Sequence, residues 1–162
     1  MKQLVKRLYN TMKHIEFIVR GVCVKNGKIL LCQNKGKAHA YLPGGHIEHR
    51  ERAEEALLRE IKEELGLDAS ITGFMGCVEA TFRQKKKWVA EISILFEMKI
   101  PRLRAATNPS AKEGHLDFFW HPLSTLAESP LQPEPLRLLI PAWRKTPGFA
   151  SAGEGWKIFE SL

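Results

Sequence analysis

At 162 residues, 44% of them hydrophobic, the chain is long enough for one domain with a sizeable core and too short for two ordinary ones. Its net charge of +7 sits partly in short clusters, Lys35/Lys37 and Lys85-Lys86-Lys87, which suit a polyanionic partner and equally plain solubility. No apolar run has signal-peptide or membrane-span length, so no membrane partner is expected and the cytoplasm is the expected compartment; no aromatic-rich RNA-binding motif accompanies the basic clusters. The three cysteines, Cys23, Cys32 and Cys77, are odd in number and lie in apolar runs, which predicts buried free thiols rather than a disulfide or a metal set.

Residues 1–13 place Leu4, Val5, Leu8 and Met12 among Lys2, Lys6, Arg7 and Lys13 and predict a short amphipathic N-terminal extension. The run HIEFIVRGVCV from His14 is nearly continuous apolar, as a strand covered on both faces would be, and Asn26-Gly27 then turns the chain into KILLC, the expected first hairpin of a sheet. Arg20 is the one cation inside that strand; it needs either an internal glutamate or a phosphate on a bound ligand. The segment QNKGKAHAYLPGG carries Lys35, Lys37 and His39, each either solvated or a phosphate contact.

From Gly44-Gly45 to Gly66 the chain reads as a loop and then a helix. Acidic residues from Glu51 suit the positive helix end and Gly66 closes the other. Leu57, Leu58, Ile61 and Leu65 form an apolar stripe. Glu60, Glu63 and Glu64 cluster on its shoulder, where three carboxylates repel one another unless a cation joins them. Arg59 and Lys62 neutralise part of this charge; an all-oxygen set of hard anions suits Mg²⁺ or Mn²⁺ better than zinc.

Beyond the helix, ASITGFMGCVEATF and KWVAEISILFEMKI predict two long strands joined by RQKK, the second with one apolar face and one mixed face that can line a pocket. Residues 101–115 form a polar, proline-containing loop ending near Glu113. LDFFWHPL is a further strand, and Pro135 opens a helix through Leu136, Leu139, Ile140 and Trp143 that Pro141 should kink. The domain is expected over 14–146, with 147–162 a tail supplying an edge strand or a dimer contact. No zinc spacing, Ser/His/Asp set, P-loop or repeat is present.

The stretch from Gly45 to Leu67, GHIEHRERAEEALLREIKEELGL, resembles the Nudix box at every fixed position. Gly45, Glu51, Arg59, Glu60, Glu63, Glu64 and Gly66, each at about 6% background, would coincide by chance about once in 10⁸ windows. With the surrounding strand pattern, the resemblance extends over roughly residues 15 to 145.

The resemblance implies an α/β fold, an α/β/α sandwich with a mixed β-sheet. It also implies a Mg²⁺-dependent pyrophosphohydrolase, with Mn²⁺ able to substitute, that cleaves a nucleoside diphosphate linked to another moiety. By it, Glu63 and Glu64 are the main metal ligands, Glu60 a ligand or the general base, and the Gly45 carbonyl a further ligand. Arg59 orients a box glutamate and Glu51 braces the loop. Glu113, placed by context, is a second candidate for the base or a metal contact.

Among substrates, a nucleoside triphosphate or dinucleoside polyphosphate is favoured. Nucleotide sugars including ADP-ribose, or an RNA 5′ end, are alternatives. The proline and tyrosine that mark ADP-ribose and dinucleoside polyphosphate relatives are both absent, Phe82 and Arg83 standing there. A non-catalytic nucleotide-binding module is the competing class, against which the intact carboxylates argue. The expected partner is a nucleotide-type small molecule, with no DNA, and the chain a monomer or homodimer.

Overall fold

A computed structural model of the protein describes residues 15–84, 87–145 and 156–160. The strands and helices are, in chain order, β1 (Ile15–Val22), β2 (Val24–Lys25), β3 (Lys28–Asn34), α1 (Ala53–Leu65), β4 (Ser70–Gln84), β5 (Lys87–Lys99), β6 (Leu116–Pro122), a 3₁₀ segment (Leu123–Glu128), α2 (Leu136–Lys145) and β7 (Trp156–Glu160). The N-terminal extension, Lys85 and Lys86 at the hairpin tip, and tail residues 147–155 and 161–162 lie outside the described residues.

Two sheets form the middle layer. One is mixed, in the order β1-β5-β4-β7, with β1 parallel to β5, β4 antiparallel to β5 and β7 parallel to β4; the other is antiparallel, in the order β2-β3-β6. The apolar run at the start of the chain is therefore not one strand paired with its own hairpin. Asn26 and Gly27 do make the two-residue turn, with φ of 51° and 72°. However, the hairpin joins only β2 to β3, and the chain changes sheet at Cys23 so that β1 can pair with β5.

Each face of the sheets carries its own core. Val19, Leu30, Phe96, Met98, Phe118 and Trp120 pack with Ala56, Leu57, Ile61 and Leu65 of α1. On the other side Val22, Ile29, Leu31, Met75, Val78 and Leu95 pack with Leu136, Ile140 and Trp143 of α2. This is the α/β/α sandwich, and truncating Leu57 or Ile61 to alanine would cost about 2–5 kcal/mol.

On the mixed face of β5, Ser93 and Leu95 are buried, and Leu95 joins the α2-side core. Leu58 leaves the predicted stripe and is exposed, while Ala56 takes a buried place beside Leu57. Cys23 and Cys32 are buried free thiols, but Cys77 is only half-buried. Helix α2 continues through Pro141 to Lys145.

Candidate active site

Helix α1 starts two residues later than the acidic run suggests. Arg52 precedes its first turn, donating its N–H to Glu55 Oε2 at 3.3 Å, and Glu51 stays in the loop. Gly66 ends the helix at φ 70°, its N–H on the Lys62 carbonyl at 3.0 Å. Glu51 is left free to face the helix from outside, and it meets Arg59.

The Arg59 guanidinium is the electrostatic hub. Its Nε and Nη2 bind Glu51 Oε1 and Oε2 at 2.7 and 2.9 Å, a bidentate pair. Its Nη1 reaches Glu60 Oε1 at 2.9 Å and Glu63 Oε2 at 3.2 Å, and Nη2 also donates to the His46 carbonyl at 3.1 Å. The hydrogen bonds from Arg59 and from the Glu48 N–H hold the Glu51 carboxyl down at about 2.

Glu64 is in the opposite situation. It is 7% exposed and accepts one hydrogen bond, from the Gly44 N–H to Oε2 at 3.3 Å. Burial pushes its carboxyl up to about 7, against the pull of the Gly44 bond and the Arg20 charge, with Glu60 and Glu113 repelling it further. Glu113 is thus within electrostatic reach of Glu64. Its loop is tied to the end of α1 by the Lys112 N–H on the Glu64 carbonyl at 2.7 Å, and its carboxylate lies 3.6 Å from His115.

Gly45 lies against Glu60, and its carbonyl accepts the Val19 N–H at 2.9 Å. Among the described residues Arg20 makes no ion pair with a glutamate: its Nη1 donates to the carbonyls of Leu42, at 3.1 Å, and Gly44, at 2.5 Å, and its guanidinium sits 5.7 Å from the Tyr41 ring centre. Two backbone carbonyls stand where an internal glutamate was one of the two expected partners. Lys35 is bound to the Gly114 carbonyl at 2.8 Å. Lys37 and His39 are exposed, and no hydrogen bond or ion pair joins either side chain to the acidic helix. Phe82 is half-buried in β4 opposite Val89.

Sequence reasoning did not find the Gly44 N–H as the partner of Glu64, nor the Leu42 and Gly44 carbonyls as partners of Arg20. The Pro43-Gly44-Gly45 run was the only available signal, and it announces backbone freedom without saying which groups will use it.

As they stand, no three His, Cys, Asp or Glu side chains among the described residues are gathered closely enough to hold a metal ion. Glu60 and Glu63 each turn an oxygen to Arg59, and Glu64 turns to Gly44. The donor set itself fits a hard divalent cation. Three carboxylates share one helix face, and one of them is buried with a single neutral hydrogen bond, which a dication would compensate far better.

The NUDIX domain family model matches residues 12–141. The chain belongs to the NUDIX family. As a Nudix hydrolase it is an enzyme acting on phosphoric anhydride bonds, in a family that generally uses divalent metals such as Mg²⁺.

A relative named ADP-ribose pyrophosphatase, from Methanocaldococcus jannaschii, is 34% identical over 125 residues, covering 73% of this chain and 72% of its own. An 8-oxo-dGTP diphosphatase from Proteus vulgaris is 38% identical over 53 residues, 30% of this chain and 47% of that one. A MutT protein from Methanosarcina mazei Go1 has a similar structure, with TM-score 0.65 and 21% identity over 83% of this chain and 96% of that one, a likeness of fold. No helix among the described residues of this Nudix hydrolase is long and apolar enough to cross a membrane.

Proposed function

We propose that this Nudix hydrolase is a Mg²⁺-dependent pyrophosphohydrolase that cleaves a nucleoside diphosphate linked to another moiety. The observation that carries the reading is Glu64, a carboxylate buried beside Glu60 and within reach of Glu113, on the same helix face as Glu63. Glu60, Glu63 and Glu64 would hold the ion; when bound, it supplies the charge that offsets the pyrophosphate and makes a water more acidic.

The chain's own residues do the rest. Arg59 orients Glu60 and Glu63 while Glu51 fixes Arg59, so the acidic face keeps one shape before any ligand arrives. Glu60, or Glu113 from its loop, takes the proton from the attacking water. Water attacks one phosphorus in line with the leaving phosphate oxygen, and positioning with charge neutralisation is most of what such a reaction needs.

The test is a substrate panel with Mg²⁺ and with Mn²⁺, read as the phosphate species released. It holds nucleoside triphosphates, dinucleoside polyphosphates, 8-oxo-dGTP, ADP-ribose, other nucleotide sugars and 5′-triphosphorylated RNA. ADP-ribose and 8-oxo-dGTP enter because relatives are named for them. Hydrolysis of at least one member, abolished by a chelator, is expected. A panel without turnover, beside tight nucleotide binding, would leave a non-catalytic nucleotide module.

A further inference from the structure

We propose that Arg20 is a positioning residue, which reaches from β1 to hold the Leu42–Gly45 turn in the shape that presents the Gly44 N–H to Glu64 and sets Gly45 against Glu60. The metal consequences drawn from it rest on the proposed ligand role of the glutamates.

Four consecutive carbonyls in this turn are all claimed by three consecutive residues of β1. The Gly21 N–H takes Pro43 at 2.9 Å and the Val19 N–H takes Gly45 at 2.9 Å, as strand pairing would. In strand-like backbone, alternate carbonyls point away from the partner, so those of Leu42 and Gly44 need another donor. Arg20 provides it to both through Nη1. A planar guanidinium with fixed donors suits this better than an ammonium on a flexible stem.

Backbone pairing pins the turn at Pro43 and Gly45 and leaves the Leu42 and Gly44 carbonyls to the Arg20 side chain. Gly44 sits at φ 124°, a conformation open to glycine, and Gly45 follows it. Two successive glycines give the peptide between them wide rotational freedom, and the Gly44 carbonyl belongs to that peptide. Nη1 is engaged on backbone at both of its hydrogens, so Arg20 shapes the turn directly; its charge also acts on Glu64, and Arg20→Lys keeps that charge while losing the fork.

The experiment compares wild type, Arg20→Met and Arg20→Lys. Amide exchange at Gly44 is read in the substrate-free protein, and Mn²⁺ binding by the electron paramagnetic resonance of the free ion. In Arg20→Met, Gly44 exchange is expected to rise tenfold or more. Mn²⁺ affinity should fall about tenfold, KM at saturating metal should hold, and added ethylguanidinium should recover part of the loss. Arg20→Lys should fall between.

Unchanged Gly44 exchange in either soluble variant overturns the proposal. So does a raised KM with unchanged Mn²⁺ affinity, the signature of a phosphate contact. Should Arg20→Met fail to fold, Arg20→Lys decides alone, and wild-type values there reject the role. A wild type that binds no Mn²⁺ rejects the metal reading, while Gly44 exchange still judges Arg20.

Discussion

Gly45 lies directly against the carboxyl group of Glu60: a Cβ placed on Gly45 would stand 2.5 Å from the carboxyl carbon and from Oε1. The colliding atoms end a flexible side chain, but Arg59 holds that end at 2.9 Å, so relief means pulling Glu60 from its partner. Gly45→Ala is expected to lower kcat at least tenfold and to cost about 1–2 kcal/mol of stability. Steady-state kinetics beside a thermal melt checks this; a variant with native kcat would show that Glu60 can work from a second position.

Glu63→Gln and Glu64→Gln keep side-chain shape and remove a charge. Both are expected to lower activity about 10³-fold or more. Their stabilities should part: Glu63 is half exposed and its loss nearly neutral, whereas Glu64→Gln removes a buried charge and should raise the melting temperature of the metal-free protein at pH 8. Activity within tenfold of wild type at saturating Mg²⁺ in either variant would remove that residue from the ligand set.

The same burial gives stability a definite pH dependence. Glu64 titrates at about 7 in the folded protein and near 4.5 when unfolded. Between those values the unfolded chain gives up a proton that the native state keeps, so stability falls as pH rises from 4.5 through 7, by about 3 kcal/mol in all. Glu51 runs the other way: depressed to about 2, its contribution is present above pH 4.5 and lost as pH falls toward 2. Melts of chelated protein across this range should show the Glu64 slope in wild type and lose it in Glu64→Gln, while Mg²⁺, competing with the proton, should flatten it.

Glu113→Gln separates two roles. As general base, its loss lowers kcat by about 10² to 10⁴ at any metal concentration; as a metal contact, the rate recovers at high Mg²⁺. A metal titration of kcat distinguishes these outcomes. Unchanged kcat and metal dependence would reject both roles and return attention to Glu60.

What the sequence discloses follows the physics of range. The acidic face of α1, its apolar stripe through Leu57, Ile61 and Leu65, and the stop at Gly66 rest on neighbours a few residues apart, so periodicity exposes them. Strand identities were legible for the same reason. The transfer of the chain between sheets at Cys23 was not, because β1 finds β5 some seventy residues later, and pairing over that distance leaves no local trace. Arg20 shows the limit sharply: an unpaired cation in an apolar strand was visible, but carbonyls are present at every residue, so nothing in composition points to Leu42 and Gly44 as its acceptors.

The segment from Pro43 to Ile47 lies along the outer side of β1, through Gly21 to Pro43, Val19 to Gly45 and Ile47 to Phe17. A terminal strand with free N–H and C=O groups is a template on which another chain can add its own strand. Here the loop that carries the site glycines also occupies that template. A Cβ on Gly44 would strike the Val19 carbonyl, forcing the segment off the strand. Gly44 variants are therefore expected to leave β1 open and to self-associate, visible as a rise in light scattering with protein concentration. Pressure to keep this chain monodisperse in a crowded solution thus falls on the same glycine as pressure to keep it active.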